Sequence, residues 1–185
     1  MKDGGLELLF ANSLKYYREQ GILFGQKFPD SMGEGSRRPA DFWVLSKTGI
    51  HHVECKQITS LKEFSYDFNR LYYSGQYQQL LDFWSFSKLT NSWSIISFKN
   101  RKLKTDRYYI IHIHDYKLLH EWVGKNSIRL DEIEYYAKFE YPKISSKRYI
   151  DHNFAKIRPS YNIILEKISV SGVKGKIIKL DDILK

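Results

Sequence analysis

Cys55 is the only cysteine in this 185-residue sequence, which excludes an intrachain disulfide framework and a multi-cysteine zinc site. Long apolar runs are also missing: no stretch reaches 18 consecutive apolar residues, so no membrane-spanning helix is expected. The opening MKDGGLELLF has no long apolar region followed by a cleavage site, so no secretion signal is expected either. The expected location is intracellular: the cytoplasm, or the host-cell cytoplasm if the chain is virus-encoded. Glycine-rich phosphate loops, zinc-finger spacings, an H-E-x-x-H pattern, internal repeats, heptads and linkers are absent as well. The common nucleotide-binding loops and compact zinc sites are thereby set aside.

What is present is positive charge and aromatic surface. Lys and Arg number 30 against 21 Asp and Glu, a net charge of +9 that suits a polyanionic partner such as nucleic acid. Hydrophobic residues at 42% and charged residues at 28% describe a globular chain rather than a disordered one. Fourteen tyrosines supply ring area with a polar tip, suited to half-wet surfaces and interfaces.

The length fits one domain. Residues 6–19 place Leu6, Leu9, Phe10, Leu14 and Tyr17 on one helical face, with Gly21 as the stop. Ile22–Phe28 is strand-like but interrupted by Gly25, and PDSMGEGSRRP reads as loop. Ala40–Leu45 and His51–Ile58 are strands joined by a turn at Ser46–Gly49, hence an antiparallel hairpin. Residues 59–76 read as loop and irregular helix, and Tyr77–Phe86 as a helix. Strands follow at Trp93–Phe98 and Tyr108–His114, then a short helix at 115–123 and a strand within Tyr161–Ile168. Between Pro142 and Lys179 nine basic residues meet only Asp151 and Glu166. The expectation is an α/β domain spanning 1–185, with a core at about 4–123 and a basic C-terminal extension at about 142–185.

Chemistry concentrates in RRPADFWVLSKTGIHHVECKQI. Asp41 starts one strand; Glu54 and Lys56 lie two apart on the next, so the strand period sends both to one face. Cys55 then points the other way, as a small core residue rather than a nucleophile. Two carboxylates suit Mg²⁺ or Mn²⁺, hard ions that prefer oxygen ligands, and the Cys55 carbonyl offers one more oxygen. Such an ion polarises a phosphodiester and lowers the pKa of a bound water, while a lysine beside it orients that water or offsets charge on the phosphate. The competing reading is an ordinary solvated hairpin face. Apolar neighbours flanking both acids, in ADFWV and HHVECKQI, favour the site.

Pro39-Ala40-Asp41 and Glu54-Cys55-Lys56 resemble the two halves of the PD-(D/E)xK nuclease motif, with the proline two before the aspartate rather than directly before it. The resemblance implies a restriction-endonuclease-like mixed central sheet flanked by helices. It also implies that a first-helix glutamate, here Glu7, joins the metal ligands Asp41, Glu54 and Cys55. A glutamine after the Glu-x-Lys strand would join the catalytic group Asp41, Glu54 and Lys56: Gln76 first, Gln79 second, with Gln78 also near. All three otherwise read as helix surface. Size, charge and element order are similar to Holliday junction resolvases of the RecU type and their phage or archaeal relatives, over residues 4–114. That would imply a homodimer acting on branched duplex DNA, with two sites related by a twofold axis.

Arg37, Arg38, Lys47 and Lys62 lie nearest the motif in sequence, and Lys99, Arg101 and Lys102 begin a second basic run through Lys104 and Arg107. Both groups are candidates for phosphate contact. Tyr72, Tyr73 and Tyr77 offer base stacking or, more simply, packing. His112 and His114, two apart on one expected strand, would share a face. A restriction-type or transposon-type endonuclease is the enzyme alternative to a resolvase, and a non-catalytic nucleic-acid-binding protein is the alternative to an enzyme.

Overall fold

The computed structural model describes residues 5–29, 38–60, 65–100, 105–138, 165–168, 170–171 and 177–178. Helix α1, Leu6–Glu19, buries Leu6, Phe10, Ser13, Leu14 and Tyr17, while Leu9 of the predicted face is partly buried against the same core. It ends where Gly21 takes a φ of 68°. The N–H of Gly21 bonds the Arg18 carbonyl and that of Ile22 the Tyr17 carbonyl, so two orphan carbonyls of the last turn are satisfied.

Strand β1, Phe24–Lys27, pairs antiparallel with β2, Phe42–Ser46, and β2 with β3, Gly49–Ser60. The β2–β3 turn is tied by Ser46 Oγ, which accepts the Thr48 N–H at 3.1 Å. Gly49 is required there. Its φ is 137°, and a Cβ would stand 2.0 Å from the Leu89 carbonyl oxygen. From β3 the chain passes through β4, Ser65–Asp67, α2, Asn69–Tyr72, and α3, Gln76–Phe86, then returns as β5, Thr90–Asn100, parallel to β3. The segment read as loop and irregular helix thus holds the end of β3 and two short elements.

Strand β6, Thr105–His112, pairs antiparallel with β5, and α4, Ile113–Val123, follows at once. Strand β7, Ser127–Arg129, pairs with β4 in a separate ribbon, and α5 spans Leu130–Lys138. Strand β8, Leu165–Ile168, adds to the far edge of β6, so the central sheet takes a strand from beyond residue 123. Strands β9, Val170–Ser171, and β10, Ile177–Ile178, pair with each other. Among the described residues the central sheet has six strands in the order β1-β2-β3-β5-β6-β8, a mixed sheet flanked by helices. None of the described helices is long and apolar enough to cross a membrane.

Each face of the sheet has its own core. On one, Phe10, Leu14 and Tyr17 of α1 meet Phe42, Val44, Val53, Cys55, Trp93 and Ile95, with Phe10 edge-on to Phe42 at 4.9 Å. On the other, the remaining helices cover Ile58, Ile96, Phe98, Tyr109 and Ile111. Burial of these apolar faces is the main favourable term holding helices to sheet.

The expected strand to His114 stops at His112, so the two histidines do not share a strand, although both rings meet Trp84, at 5.4 and 4.9 Å. His112 Nδ1 accepts the His114 N–H at 3.3 Å and caps α4, while His114 sits inside the helix beside Asp115. The local capping bond overrides strand propensity.

His52 lies under α3, its ring stacked on Phe83 at 3.4 Å, and burial lowers its pKa from 6.5 to about 4. The folded ring stays neutral where the unfolded one is charged, so stability is present above pH 6.5 and lost as pH falls towards 4. With discounting for residual solvent, the loss by pH 5 is on the order of 1 kcal/mol. Urea unfolding of wild type and His52→Phe at pH 7.5 and 5.0 should show the gap between them moving by that amount against wild type; a constant gap would refute the assignment.

Candidate active site

Strand β3 sets the site. Its even residues face α3 and its odd residues face α1, so Glu54 and Lys56 share the α3 face while Cys55 enters the α1 core. The β2–β3 register, with Phe42 opposite Val53, places Asp41 across from Glu54 at the next step. Both acids are buried, 3% exposed for Asp41 and 1% for Glu54, which is unusual for carboxylates without full pairing.

Asp41 Oδ2 accepts the Cys55 N–H at 2.8 Å, and Asp41 Oδ1 meets the Arg38 guanidinium at 3.1 Å. Because a residue's N–H and C=O point to the same strand edge in a ladder, the Cys55 carbonyl also faces the Asp41 edge. Lys56 Nζ donates to Glu54 Oε1 and to Gln76 Oε1, each at 2.7 Å. Gln76 is held in turn by the Ser74 hydroxyl at 2.9 Å, after Gly75 turns the chain with a φ of 70°. Glu54 Oε2 is buried with no hydrogen-bond partner among the described residues.

These contacts do not neutralise the pair. Burial raises the Asp41 carboxyl above its ordinary 3.8, and the nearby Glu7 charge adds to this against the Cys55 N–H, Arg38 and Lys56. Burial, then the Asp41 charge, push Glu54 from 4.5 up to about 7, despite Lys56. Burial also pushes the Cys55 thiol well up, so it is no nucleophile.

Of the other expected residues, Glu7 pairs with Lys27 at 3.0 Å on the α1 side of β3. It lines an open cavity of about 520 Å³ with Leu6, Ala11, Lys27, Cys55 and Gln57. Among the described residues no three His, Cys, Asp or Glu form a group able to hold a metal. The Glu7 charge nevertheless acts on both Asp41 and Cys55. Gln78 pairs with Asp82 on the exposed side of α3, whereas Gln79 Oε1 is buried without a partner among the described residues. Lys47 belongs to the β2–β3 turn, six residues from Asp41 along the hairpin and so roughly 20 Å away, a correction to its nearness in sequence. Lys99 lies on β5 beside Thr59, about 10 Å beyond the level of Lys56. Arg107 pairs with Glu134 at 3.5 Å. Arg37, Lys62, Arg101, Lys102 and Lys104 lie outside the described residues.

Tyr72 and Tyr77 pack on one another and on Tyr116, leaving only Tyr73 of the three exposed. Sequence reading missed Ser74, Gln57 and Ser94. Gln57 Oε1 accepts the Leu6 N–H at 2.8 Å at the start of α1, and Ser94 stands beside Glu54 on β5. Serines at 92 and 94, alternating with Trp93 and Ile95, are the signal that marked a small polar face on this strand.

Compared with known proteins, the chain matches no family model, and no curated protein matches it.

The raised Glu54 carboxyl keeps its proton in the folded state where the unfolded one has lost it, between pH 4.5 and 7. Stability from this group is therefore complete below 4.5 and lost as pH rises through 7, by on the order of 2 kcal/mol. In chelator, Glu54→Gln should unfold at higher temperature than wild type at pH 8 and close to it at pH 5. A variant less stable at pH 8 would show that the carboxylate is not repelled there.

Proposed function

We propose that this chain is a divalent-cation-dependent DNA endonuclease with a restriction-endonuclease-like fold. The observation that carries the reading is the pair of buried, mutually repelling carboxylates, Asp41 and Glu54, with Glu54 Oε2 unpartnered and Lys56 fixed beside them. A small oxygen-preferring cation answers that arrangement. Mg²⁺ is typically held by one or two carboxylates, with water and substrate phosphate completing its shell, so a two-acid set is enough. Asp41, Glu54 and the Cys55 carbonyl would hold it, and Mn²⁺ would fit the same oxygens. Bound there, the ion supplies an activated water and charge stabilisation on the phosphoryl group.

The chain's own residues do the positioning. An ammonium has three donors; Glu54 and Gln76 take two of Lys56's, which leaves the third for water or a phosphate oxygen. Gln76, pinned by Ser74, keeps Lys56 from folding back onto both oxygens of Glu54. Arg38 holds Asp41 and brings positive charge to the rim, where a phosphate backbone would approach. The basic balance supports a nucleic-acid substrate. The resemblance to Holliday junction resolvases supports a homodimer acting on branched duplex.

The test compares four-way junction, splayed-arm, linear duplex and single-stranded DNA with and without Mg²⁺. Wild type should cut the junction in Mg²⁺ alone, and Asp41→Asn, which keeps an acceptor for the Cys55 N–H, should lose at least about 100-fold. Undiminished cutting by Asp41→Asn would remove the metal reading. Equal cutting of linear duplex would keep the nuclease and remove the resolvase, and no cutting of any DNA would favour a binding protein.

A further inference from the structure

Glu54 Oε2 is one of several buried polar atoms beneath α3 that have no hydrogen-bond partner among the described residues. Ser94 Oγ, Ser92 Oγ, Gln79 Oε1 and His52 Nδ1 are the others. Their closeness follows from register. In the parallel β3–β5 ladder His52 stands beside Ser92 and Glu54 beside Ser94, on strands about 4.8 Å apart. Helix α3 lies over this row with Gln76 at Lys56 and Phe83 at His52. Gln79, three after Gln76 and four before Phe83, lies on the same helical face. The seven-residue rise from Gln76 to Phe83, about 10.5 Å, runs alongside the four strand residues from Lys56 to His52, about 13 Å, so Gln79 falls over Glu54. Glu54 is 1% exposed and Ser94 0%.

The donor balance identifies what belongs there. With Glu54 ionised, the form that binds a cation, Glu54 Oε2 and Gln79 Oε1 are both acceptors and do not satisfy each other, while Ser94 supplies one hydroxyl. A water donating to the two acceptors and accepting from Ser94 makes three hydrogen bonds, the usual number for a buried water. We propose that Ser94 and Gln79 are positioning residues that, through one ordered water, fix the Glu54 carboxylate in the orientation that binds a divalent cation. The oxygen has two lone pairs, so the water on the β5 side leaves one for the cation on the Asp41 side. The last part of this inference rests on reading Asp41 and Glu54 as a cation site; the water and the fixed rotamer do not.

Two measurements test it. A crystal structure of the metal-free protein should show a water within hydrogen-bond distance of all three atoms, and Ser94→Ala should lose it and turn Glu54. Calorimetric titration with Mn²⁺ should show about 10-fold weaker binding for Ser94→Ala and for Gln79→Leu, near-wild-type binding for Ser94→Thr, and no further loss in the double variant. Gln79→Leu lies on the helix, so it keeps the test open if Ser94→Ala does not fold. No such water in wild type, or an unmoved Glu54 and unchanged Mn²⁺ affinity in both single variants, overturns the proposal. Should wild type bind no Mn²⁺ while Glu54 still turns in Ser94→Ala, the cation reading fails and the positioning role stands.

Discussion

Placing one carboxylate beside another inside a protein costs twice, once for lost hydration and once for repulsion. Asp41 and Glu54 bear both costs, and the polar contacts of this region are organised around them. The Cys55 N–H and Arg38 hold Asp41, Lys56 holds Glu54, Gln76 holds Lys56, and Ser74 holds Gln76. This relay runs from the strand edge to the start of α3. Pairs of this kind add little net stability, since desolvation offsets most of the Coulomb gain. The apolar cores on the two faces of the sheet carry the fold and hold the acids in place.

The sheet makes that possible by its order. Strand β3 is interior, with β2 on one side as far as Val53 and β5 on the other, so Glu54 and Lys56 are engaged in the β5 ladder. Strand β2 starts at Phe42, level with the site, and the carboxylate of Asp41 takes over where its backbone pairing with β3 ends. One side of β3 thus serves the α1 core through Val53 and Cys55, and the other carries Glu54 and Lys56. A single strand does both because its side chains alternate.

Local patterns were readable. The helical spacing of Leu6, Phe10, Leu14 and Tyr17 gave α1, and the short turn at Ser46–Gly49 gave the β2–β3 hairpin. The two-residue spacing of Glu54 and Lys56 gave their common face. What escaped depends on distant pairing or on capping. No local pattern says that β3 lies parallel to β5, so Ser94 beside Glu54 was invisible. Lys47 is close to Asp41 along the chain, yet strand length carries it to the other end of the hairpin. His114 looked like strand because Ile110, Ile111 and Ile113 precede it, but one bond to His112 starts a helix.

The parallel ladder also bears on the order of folding. Its eleven pairs, Ile50 with Thr90 through Ser60 with Asn100, all join residues 40 positions apart. Loop-closure entropy makes such contacts late, whereas the hairpin carrying Asp41 and Glu54 closes over a two-residue turn. Contact order favours closure of that hairpin before α3 shuts out water and brings Gln76 to Lys56. During that interval the repulsion between them is screened by solvent, and its full cost falls on the docking of α3 and β5. Glu54, Lys56 and the long-range ladder thereby share one strand.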